Sequence, residues 1–260
     1  MFDKFLELAT CLFFPIRFMS LAASYIPGTI LSLLVDSEFR TLSSPSRFKE
    51  AWFARFWSKY GPLVREGNSP RVSPLLKLAH GVVLDIGPGS GEWLPHFDPS
   101  KITKIYGIEP NVGHHARLRE RISEVGLSSK YIIVPVGVED LDEWMKNEDD
   151  WQGADSIITV LCLCSIPQAE GIIKGLYGCL KDGGCWLVHE HVKAKEGRWI
   201  GWYQYFVNFM WPHFIGGCSI TKDTEALLKR AGPWSKVNLS QPEGESEYSA
   251  LPHIRGILVK

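Results

Sequence analysis

The sequence has no excess of charge of either sign. Its 260 residues include 28 lysines and arginines and 29 aspartates and glutamates, which gives a formal net charge of −1. Proteins that bind nucleic acids usually carry a basic surface that neutralises phosphates, and the composition offers no such excess. We therefore expect no nucleic-acid partner.

The sequence also lacks the cysteine spacing of a zinc ribbon or of a disulfide framework. It contains no CxxC pair, and four of its six cysteines lie inside strand-like or helix-like stretches. The six are Cys11, Cys162, Cys164, Cys179, Cys185 and Cys218. This usage is typical of reduced thiols on the cytosolic side of the cell.

A long uninterrupted apolar run is absent as well. Residues 5–35 are strongly apolar, but Pro15 and Arg17 interrupt the early part and Pro27 interrupts the late part. The uncharged run 18–35 is at the lower limit for a bilayer-spanning helix, which needs about 20 residues. No positively charged leader or small-residue cleavage site indicates a secretory signal.

Three interpretations of the apolar segment, residues 1–42, stay open. It is an anchor lying in the membrane interface, a set of helices covering a pocket, or one spanning helix. The remaining domain, residues 43–260, begins with an amphipathic helix capped by Ser46. We expect this helix to pack on the domain and to cap its pocket with one aromatic face, made of Trp52, Phe53, Phe56 and Trp57.

From residue 80 onward, apolar strand-like runs alternate with helix-like stretches. The runs lie at 81–87, 104–109, 131–137, 154–163, 183–192, about 236–240 and 253–260. The longer helical stretches lie at 112–126, about 141–147, 167–180 and 221–231. Runs that are apolar on both faces are typical of a parallel sheet covered by helices on two sides. We predict an α/β, Rossmann-like fold whose ligand lies beyond the carboxyl ends of the strands.

The first run ends in a glycine-rich loop, within GVVLDIGPGSGEWL at residues 81–94. Three glycines at alternate positions permit a tight turn and let a ligand approach backbone N–H groups; they are Gly87, Gly89 and Gly91. The spacing is GxGxG, and Glu92 stands where a dinucleotide fingerprint has its third glycine. Asp85 adds another carboxyl group. A cationic ligand suits these acids better than a pyrophosphate does, and S-adenosylmethionine carries an ammonium and a sulfonium group.

Further candidate contacts for this cofactor follow the next strands. Glu109 ends the second run, about 20 residues further on, where an acidic side chain can accept both ribose hydroxyls. Val138 and Glu139 follow the third run at the position of the adenine, and Leu161 follows the fourth. The full predicted set is Asp85, Gly87, Gly89, Gly91, Glu109, Pro110, Asn111, Val138, Glu139 and Leu161.

These motifs resemble the class I S-adenosylmethionine-dependent methyltransferases, and more narrowly the methyltransferase-like 7 family of membrane-associated alkyl thiol S-methyltransferases. The resemblance covers about residues 80–260. It rests on LDIGPGSGEWL, GIEPN, VLCLCSIPQAEGIIKGLYGCLKDGGCWLVHEHV, GGCSITKDTEALLKRAG and LPHIRGILVK. Glu109 departs from it, because the family usually has aspartate there.

The resemblance implies a seven-stranded sheet of order 3-2-1-4-5-7-6 with an antiparallel last strand. It implies methyl transfer to a small lipophilic acceptor, in the first place a thiol. It also implies an amino-terminal segment that docks on the endoplasmic reticulum or on lipid droplets from the cytoplasmic side. Further departures are Pro88 in the glycine loop, the additional histidine His189, and the two prolines that break this leader, Pro15 and Pro27.

At the acceptor, the enzyme mainly has to align the reacting atoms, because the sulfonium already activates the methyl group. A thiol is partly ionised near neutral pH, whereas a phenol profits from a base. His191, at the end of the fifth run, is the candidate base or acceptor-orienting residue; a structural histidine is the alternative. His189 lies on the same face, and since no third ligand is evident beside this pair, no metal is expected.

The acceptor pocket is expected to be apolar. Cys164 is either a small buried residue or part of the pocket wall. The aromatic insertion 196–217 is expected to close the pocket, or else to pack or touch a membrane, and its predicted substrate contacts are Trp202, Tyr203 and Phe206. Three functions stay open: thiol S-methylation, methylation of oxygen, nitrogen or carbon in a secondary metabolite, and cofactor binding without methyl transfer, as a rearrangement catalyst or scaffold.

Overall fold

The computed structural model describes residues 2–195 and 199–260, so that the first three residues of the predicted aromatic insertion lie outside the described residues. The strands are β1 (Gly81–Ile86), β2 (Ile102–Ile108), β3 (Tyr131–Val134), β4 (Ala154–Val160), β5 (Leu180–His191), β6 (Lys236–Ser240) and β7 (His253–Val259). The helices are α1 (Phe2–Ala23), α2 (Ile26–Val35), α3 (Phe39–Leu42), α4 (Pro45–Leu76), α5 (Val112–Glu124), α6 (Leu141–Met145), α7 (Ala169–Cys179), α8 (Trp199–Asn208), α9 (Trp211–Phe214) and α10 (Thr224–Lys229).

The seven strands form one sheet in the order β3-β2-β1-β4-β5-β7-β6. Neighbouring strands from β3 to β5 pair in parallel, and β7 pairs antiparallel with both β5 and β6. The predicted order and the antiparallel last strand are therefore confirmed. The chain reverses its direction of winding between β1 and β4, and the carboxyl ends of these two strands open the crevice in which such folds bind ligands.

Helices cover both faces of the sheet, as the doubly apolar runs predict. On one face, Leu84 and Trp186 are fully buried in an apolar layer shared with α7 and α10. On the other face, Val83 and Leu187 pack in a second layer with Leu118 of α5 and with the end of α4. The central strands are thus held between two cores, which fixes the position of the loops at their carboxyl ends.

Two element boundaries differ from the sequence prediction. Helix α4 begins at Pro45, with Ser44 and not Ser46 at its N-cap position, because proline fits the first helical position, where no N–H is needed. Strand β5 begins at Leu180, three residues early. The register between β4 and β5 shifts there: Ala154 pairs with Leu180, but Ser156 pairs with Cys185, so that β5 contains a bulge.

The apolar amino-terminal segment is helical and is only partly covered by the rest of the protein. Contrary to the predicted interruption, α1 runs through Pro15, whose side chain is buried, so that packing offsets the lost backbone hydrogen bond. Phe18 and Ala22 pack in a third apolar cluster with residues of α4 and α9. The indole N–H of Trp52 donates to the Ala22 carbonyl at 2.7 Å. One face of α1 is therefore part of the domain.

The other face of the segment is exposed. Phe2–Val35 is long and apolar enough to cross a membrane, but some core helices and signal sequences share this composition. The large exposed apolar side chains of α1 and α2 are Phe2, Phe5, Leu6, Phe13, Phe14, Ile16, Leu21, Ile30, Leu31, Leu34 and Val35. Of the three interpretations above, covering the pocket is compatible with the buried face, and a membrane contact is compatible with the exposed one.

Candidate functional site

A cavity of about 810 Å³ opens at the carboxyl ends of β1, β2 and β4, a size that suits a small-molecule ligand. Eight of the predicted cofactor residues line it: Gly87, Gly89, Glu109, Pro110, Asn111, Val138, Glu139 and Leu161. Aromatic side chains of α1, α4 and α9 form its roof, among them Phe18, Trp57, Trp211 and Phe214. The cavity therefore has a backbone-rich end at the glycine loop and an apolar cover.

The glycine loop has a backbone that side chains would not tolerate. Gly87 and Gly91 have positive φ angles of 64° and 76°. A Cβ on Gly87 would lie 2.8 Å from Cys162 Cβ, and one on Gly91 would lie 2.9 Å from a methyl group of Leu118. Both the conformation and the surrounding space thus require glycine. Gly87 and Gly89 present bare backbone to the cavity, with Pro88 between them.

Glu109 joins the end of β2 to this loop. Its Oε2 accepts a hydrogen bond from the Gly89 N–H at 2.8 Å, and its Oε1 accepts one from the Asn111 N–H at 2.9 Å. Burial nevertheless raises the pKa of Glu109 to about 7, because the two backbone bonds offset only part of the cost of desolvating the charge. The carboxyl group thus has acceptor capacity that a bound hydroxyl or cation would satisfy.

Asp85 lies elsewhere than predicted. It borders a small hollow, together with Gly91, that adjoins the large cavity and shares five lining residues with it; Asp85 itself does not line the large cavity. Its Oδ2 accepts a hydrogen bond from the Tyr131 hydroxyl at 2.9 Å. Asp85 pairs with Gly107 across β1 and β2, and a Cβ on that glycine would collide with the Tyr131 hydroxyl. The sheet thus directs Asp85 toward Tyr131, and the expected direct contact with a ligand in the large cavity is corrected.

Burial raises the pKa of Asp85 to about 7; the Tyr131 hydrogen bond counteracts this and the Glu109 charge adds to it. Two acidic groups with raised pKa values thus lie on either side of the loop. Neighbouring carboxyls that are hard to ionise are typical of a site that binds a positively charged or hydrogen-bond-donating ligand.

Glu92 is a cavity residue that the sequence analysis noted but did not assign. Its Oε2 accepts a hydrogen bond from Arg121 Nη1 at 2.8 Å, and both side chains are buried. Its Oε1 is buried without a hydrogen-bond partner. Unsatisfied buried acceptors are costly and uncommon, so this oxygen adds acceptor capacity beside the loop. The available signal was an acid directly after the third glycine.

Leu161, Val138 and Glu139 lie on the cavity wall where the sequence analysis expected the cofactor. Leu161 has a φ of 57°, in the left-handed region that a leucine rarely adopts. Its N–H donates to the His189 carbonyl at 2.8 Å, which holds the strained turn at the end of β4. Whether these three residues contact a cofactor stays a prediction.

His191 lines the cavity at the end of β5, the edge at which it was expected. Its Nδ1 lies 3.7 Å from Sγ of Cys218, which also lines the cavity. Cys164 is buried directly behind them and is not part of the wall, so its predicted place as a wall residue is corrected. Among the described residues, the ligand atoms of these three side chains lie within 4.8 Å of one another.

Sequence reasoning looked for a third metal ligand beside His189 and His191 and found none. His189 does not belong to the cluster: it is fully buried, and neither ring nitrogen has a hydrogen-bond partner. Burial, and then the nearby His253 and His191, lower its pKa to about 2, so that its ring is neutral. The cysteines were missed because they lie 54 positions apart (218 − 164) on different loops.

The aromatic helix α8 does not close the cavity. Trp202 and Phe206 are 82% and 77% exposed and do not line the cavity, so their predicted substrate contact is corrected. Tyr203 does not line it either; its hydroxyl donates to the Leu12 carbonyl of α1. Helix α8 buries the face formed by Ile200, Gln204 and Val207, which turns Trp202 and Phe206 outward.

The raised pKa of Asp85 predicts how its replacement changes stability with pH. The folded value of about 7 exceeds the ordinary 3.8, so the native state retains a proton that the unfolded state has released. Wild type therefore loses stability as pH rises between these values. An Asp85→Asn variant lacks this loss. Its stability relative to wild type should grow by about 2 kcal/mol between pH 5.5 and 8 in urea unfolding without ligand.

The matched control is Asp149→Asn, which removes an exposed carboxyl group. Its difference from wild type should be the same at both pH values. A difference for Asp85→Asn that does not change with pH contradicts the assignment of the buried charge.

Comparison with known proteins agrees with this geometry. Residues 18–232 match the family described as "Methyltransferase domain". Over 180 residues, 68% of this chain and 70% of the relative, the chain is 27% identical to the human (Homo sapiens) protein named thiol S-methyltransferase TMT1A. Over equal shares it is 28% identical to thiol S-methyltransferase TMT1B of Rattus norvegicus.

Solved structures show the same fold. The chain superposes with a TM-score of 0.59 on an O-methyltransferase family protein from Burkholderia thailandensis, covering 91% of this chain and 71% of that one. At 13% identity this likeness shows the fold alone. The predicted methyltransferase activity and the predicted cofactor, S-adenosylmethionine, are confirmed by the family match. That match spans well over half of the sequence, and the chain therefore belongs to the methyltransferase domain family of S-adenosylmethionine-dependent methyltransferases.

Proposed function

We propose that this enzyme transfers the methyl group of S-adenosylmethionine to the sulfur of a small lipophilic thiol. The observation that carries the proposal is the large cavity, which has acidic groups and bare backbone at one end and an apolar, aromatic cover over the other. The names of the curated relatives, thiol S-methyltransferases, support the choice of sulfur.

We infer that the cofactor lies at the glycine-loop end. The residues there fit it: Gly87 and Gly91 admit no side chain, and the acceptor groups of Glu109 and Glu92 suit its ribose hydroxyls and cationic groups. When bound, the cofactor supplies a methyl group attached to a positively charged sulfur. Asp85 is proposed to act on it through the loop. We propose that the cofactor also contacts the other residues predicted from the sequence, which are Pro110, Asn111, Val138, Glu139 and Leu161.

Replacing Glu109 by alanine tests this placement. The variant loses an acceptor for the cofactor as well as the bonds to two backbone N–H groups, so we expect cofactor affinity to fall by about 1–3 kcal/mol. Isothermal titration calorimetry of the purified protein measures this. Asp85→Ala should also weaken binding, but less, because Asp85 does not line the cavity.

Glu120→Ala is the matched control, because it removes an exposed glutamate of α5. Its affinity should equal that of wild type. Wild-type affinity in the Glu109→Ala variant argues against our position for the cofactor.

The acceptor end suits a small lipophilic thiol because aromatic and apolar side chains cover it. A thiol has an unperturbed pKa of about 8.5, so part of it is already thiolate at neutral pH and alignment is the main requirement. His191 is the titratable side chain of β5 that reaches the cavity. We propose that it acts at the acceptor, which it orients or from which it takes a proton.

Purified enzyme should move label from methyl-labelled S-adenosylmethionine to lipophilic thiols, and much less to phenols and amines of matched size. The physical reason is that the apolar acceptor end admits all three, but only the thiol readily becomes an anionic nucleophile at neutral pH, where a phenol keeps its proton and an amine is a protonated cation. Separation of products by chromatography with radiometric detection measures the transfer.

If label moves to phenols or amines and not to thiols, the enzyme methylates oxygen or nitrogen. Cofactor binding without transfer to any acceptor supports a protein that only binds the cofactor. Both outcomes contradict thiol methylation.

We further propose that α1, α2 and α8 rest on a membrane surface, with the catalytic domain on the cytoplasmic side of the endoplasmic reticulum or a lipid droplet. The support is the exposed apolar surface of these helices. In α8 and the turn after it, this surface consists of Trp199, Trp202, Tyr205, Phe206, Phe209 and Met210. Tyr203 links α8 to α1, so that the two helices move together. Apolar surface that is rimmed by a folded domain is typical of interfacial binding.

The double variant Trp202→Ser and Phe206→Ser should bind phospholipid vesicles about tenfold more weakly or worse, because two apolar side chains no longer leave water. Flotation of the full chain with vesicles measures this. Val237→Ser, which removes an exposed apolar residue at the far edge of the sheet, is the control and should float like wild type. Equal flotation of all three proteins excludes a role for α8.

A further inference from the structure

We infer that Cys164, His191 and Cys218 form a zinc site whose open fourth position faces the cavity and binds the acceptor sulfur. The inference rests on the proposed function for the identity of the acceptor, but not for the metal site itself. The three side chains come from the loop after β4, the end of β5 and the turn after α9. Thiolate and imidazole are the ligands that zinc prefers in proteins.

The spacing of the cluster matches a tetrahedral site. With zinc–sulfur bonds of about 2.3 Å and zinc–nitrogen bonds of about 2.05 Å, the edge between a sulfur and a nitrogen is about 3.6 Å, and the edge between two sulfurs is about 3.8 Å. The observed distance from Cys218 Sγ to His191 Nδ1 is 3.7 Å. All three ligand atoms lie within 4.8 Å of one another. Rotation of the Cys164 side chain would bring its sulfur to the same distances from the other two ligand atoms.

The backbone holds these residues in place without a metal. The Ser219 N–H donates to the Cys164 carbonyl at 3.0 Å, which fastens the loop after β4 to the turn after α9. The Lys222 ammonium donates to the carbonyls of Leu163 and Cys164 at 2.8 and 2.9 Å. Sites whose ligand residues are fixed by such outer contacts bind metals more tightly, because the ligand side chains lose less conformational freedom when the metal binds.

The charge of the site is compatible with its burial. Two thiolates and a neutral imidazole cancel the two positive charges of zinc, so no net charge is desolvated. Cys164 and Cys218 are almost fully buried, and the only charge they would bring is the one that the metal compensates. A divalent cation without such ligands would not enter this apolar region.

The fourth position is open toward the cavity. His191 and Cys218 line the cavity and Cys164 lies behind them. The side of the cluster that no protein ligand covers therefore faces the cavity, where the acceptor would bind. Within residues 2–195 and 199–260, no fourth histidine, cysteine or carboxylate joins the group. Three protein ligands with one open position is the arrangement of catalytic zinc, whereas structural zinc has four.

The site would deliver the acceptor as a thiolate. A thiol that binds to zinc loses its proton to solvent, and its sulfur is deprotonated at neutral pH. The sulfur electron pair then forms the new S–CH₃ bond, while the electrons of the broken C–S bond stay on the cofactor sulfur, which becomes a neutral thioether. In this arrangement His191 orients the acceptor through the metal and does not itself take the proton.

Cobalt(II) is the probe that tests the site, because it replaces zinc and reports its ligands by absorption. We expect the reduced, chelator-treated full chain to bind one cobalt ion, with intense tetrahedral bands and a sulfur-to-cobalt charge-transfer band. Adding benzyl mercaptan without cofactor should change both, since the acceptor enters the fourth position. Zinc measured by mass spectrometry in the untreated protein should approach one ion per chain.

Cys164→Ser and Cys218→Ser should each weaken cobalt binding by about a hundredfold or more. Replacing a group that only orients a metal ligand already weakens binding up to about a hundredfold, and loss of the ligand itself should cost at least as much. Cys179→Ser, which changes a half-buried cysteine at the end of α7, is the matched control and should bind like wild type. Circular dichroism verifies that each variant is folded. If a serine variant does not fold, the wild-type titration and its charge-transfer band decide.

The metal site is overturned if wild-type protein binds no cobalt, if the Cys164→Ser and Cys218→Ser variants bind it as tightly as wild type, or if peptide mapping finds Cys164 and Cys218 joined by a disulfide in the active enzyme. Thiol methylation that a chelator leaves unchanged also overturns it, while the proposed function stands. Cobalt bands that benzyl mercaptan does not perturb overturn the fourth-position assignment. Metal binding with no methyl transfer to thiols overturns the proposed function and leaves the metal site.

Discussion

The hydrogen bond from the Gly89 N–H to Glu109 connects the two strands on which the site depends. It joins the glycine loop after β1 to the end of β2, and it uses a carboxyl group that burial makes hard to ionise. A backbone hydrogen bond from the Gly87 N–H to the Ile108 carbonyl at 3.0 Å holds the start of the loop to the same strand. The sheet beneath supports the same contact, because β1 and β2 pair in register up to Ile86 and Ile108. The rigid part of the site is therefore made by backbone pairing together with the Glu109 carboxyl group, which accepts hydrogen bonds from the backbone on both of its oxygens.

The cavity combines two environments that methyl transfer to a lipophilic acceptor requires. Acidic groups and backbone surround the loop, and aromatic rings of α4, α9 and α1 cover the remainder. An apolar cover excludes water from the reacting atoms and strengthens the electrostatic interactions inside. His191 at the end of β5 and Cys218 after α9 line the same cavity, 3.7 Å apart. The division of the cavity thus follows from the order of the strands.

Much of the fold was predictable because its signals are local. The alternation of apolar runs predicted the sheet, and the spacing from the glycine loop to Glu109 predicted that the two lie together at one edge, since parallel strands end there. The side chain of Asp85 was misplaced because its direction depends on Tyr131, which is 46 positions away. The cluster of Cys164 and Cys218 was missed for the same reason. Helix α8 was misjudged because its aromatic residues were counted without regard to which face is buried.

The hydrogen bond from the Trp52 indole N–H to the Ala22 carbonyl joins the amino-terminal segment to the catalytic domain. A chain cut before α4 would keep all seven strands and the whole glycine loop. It would also leave Trp52, Phe56 and Trp211, now sealed by Phe18, open to water. The apolar amino-terminal segment thus covers the cavity and completes the third apolar cluster. A shortened form would expose apolar surface through which it could aggregate, and it could no longer exclude water from the cavity.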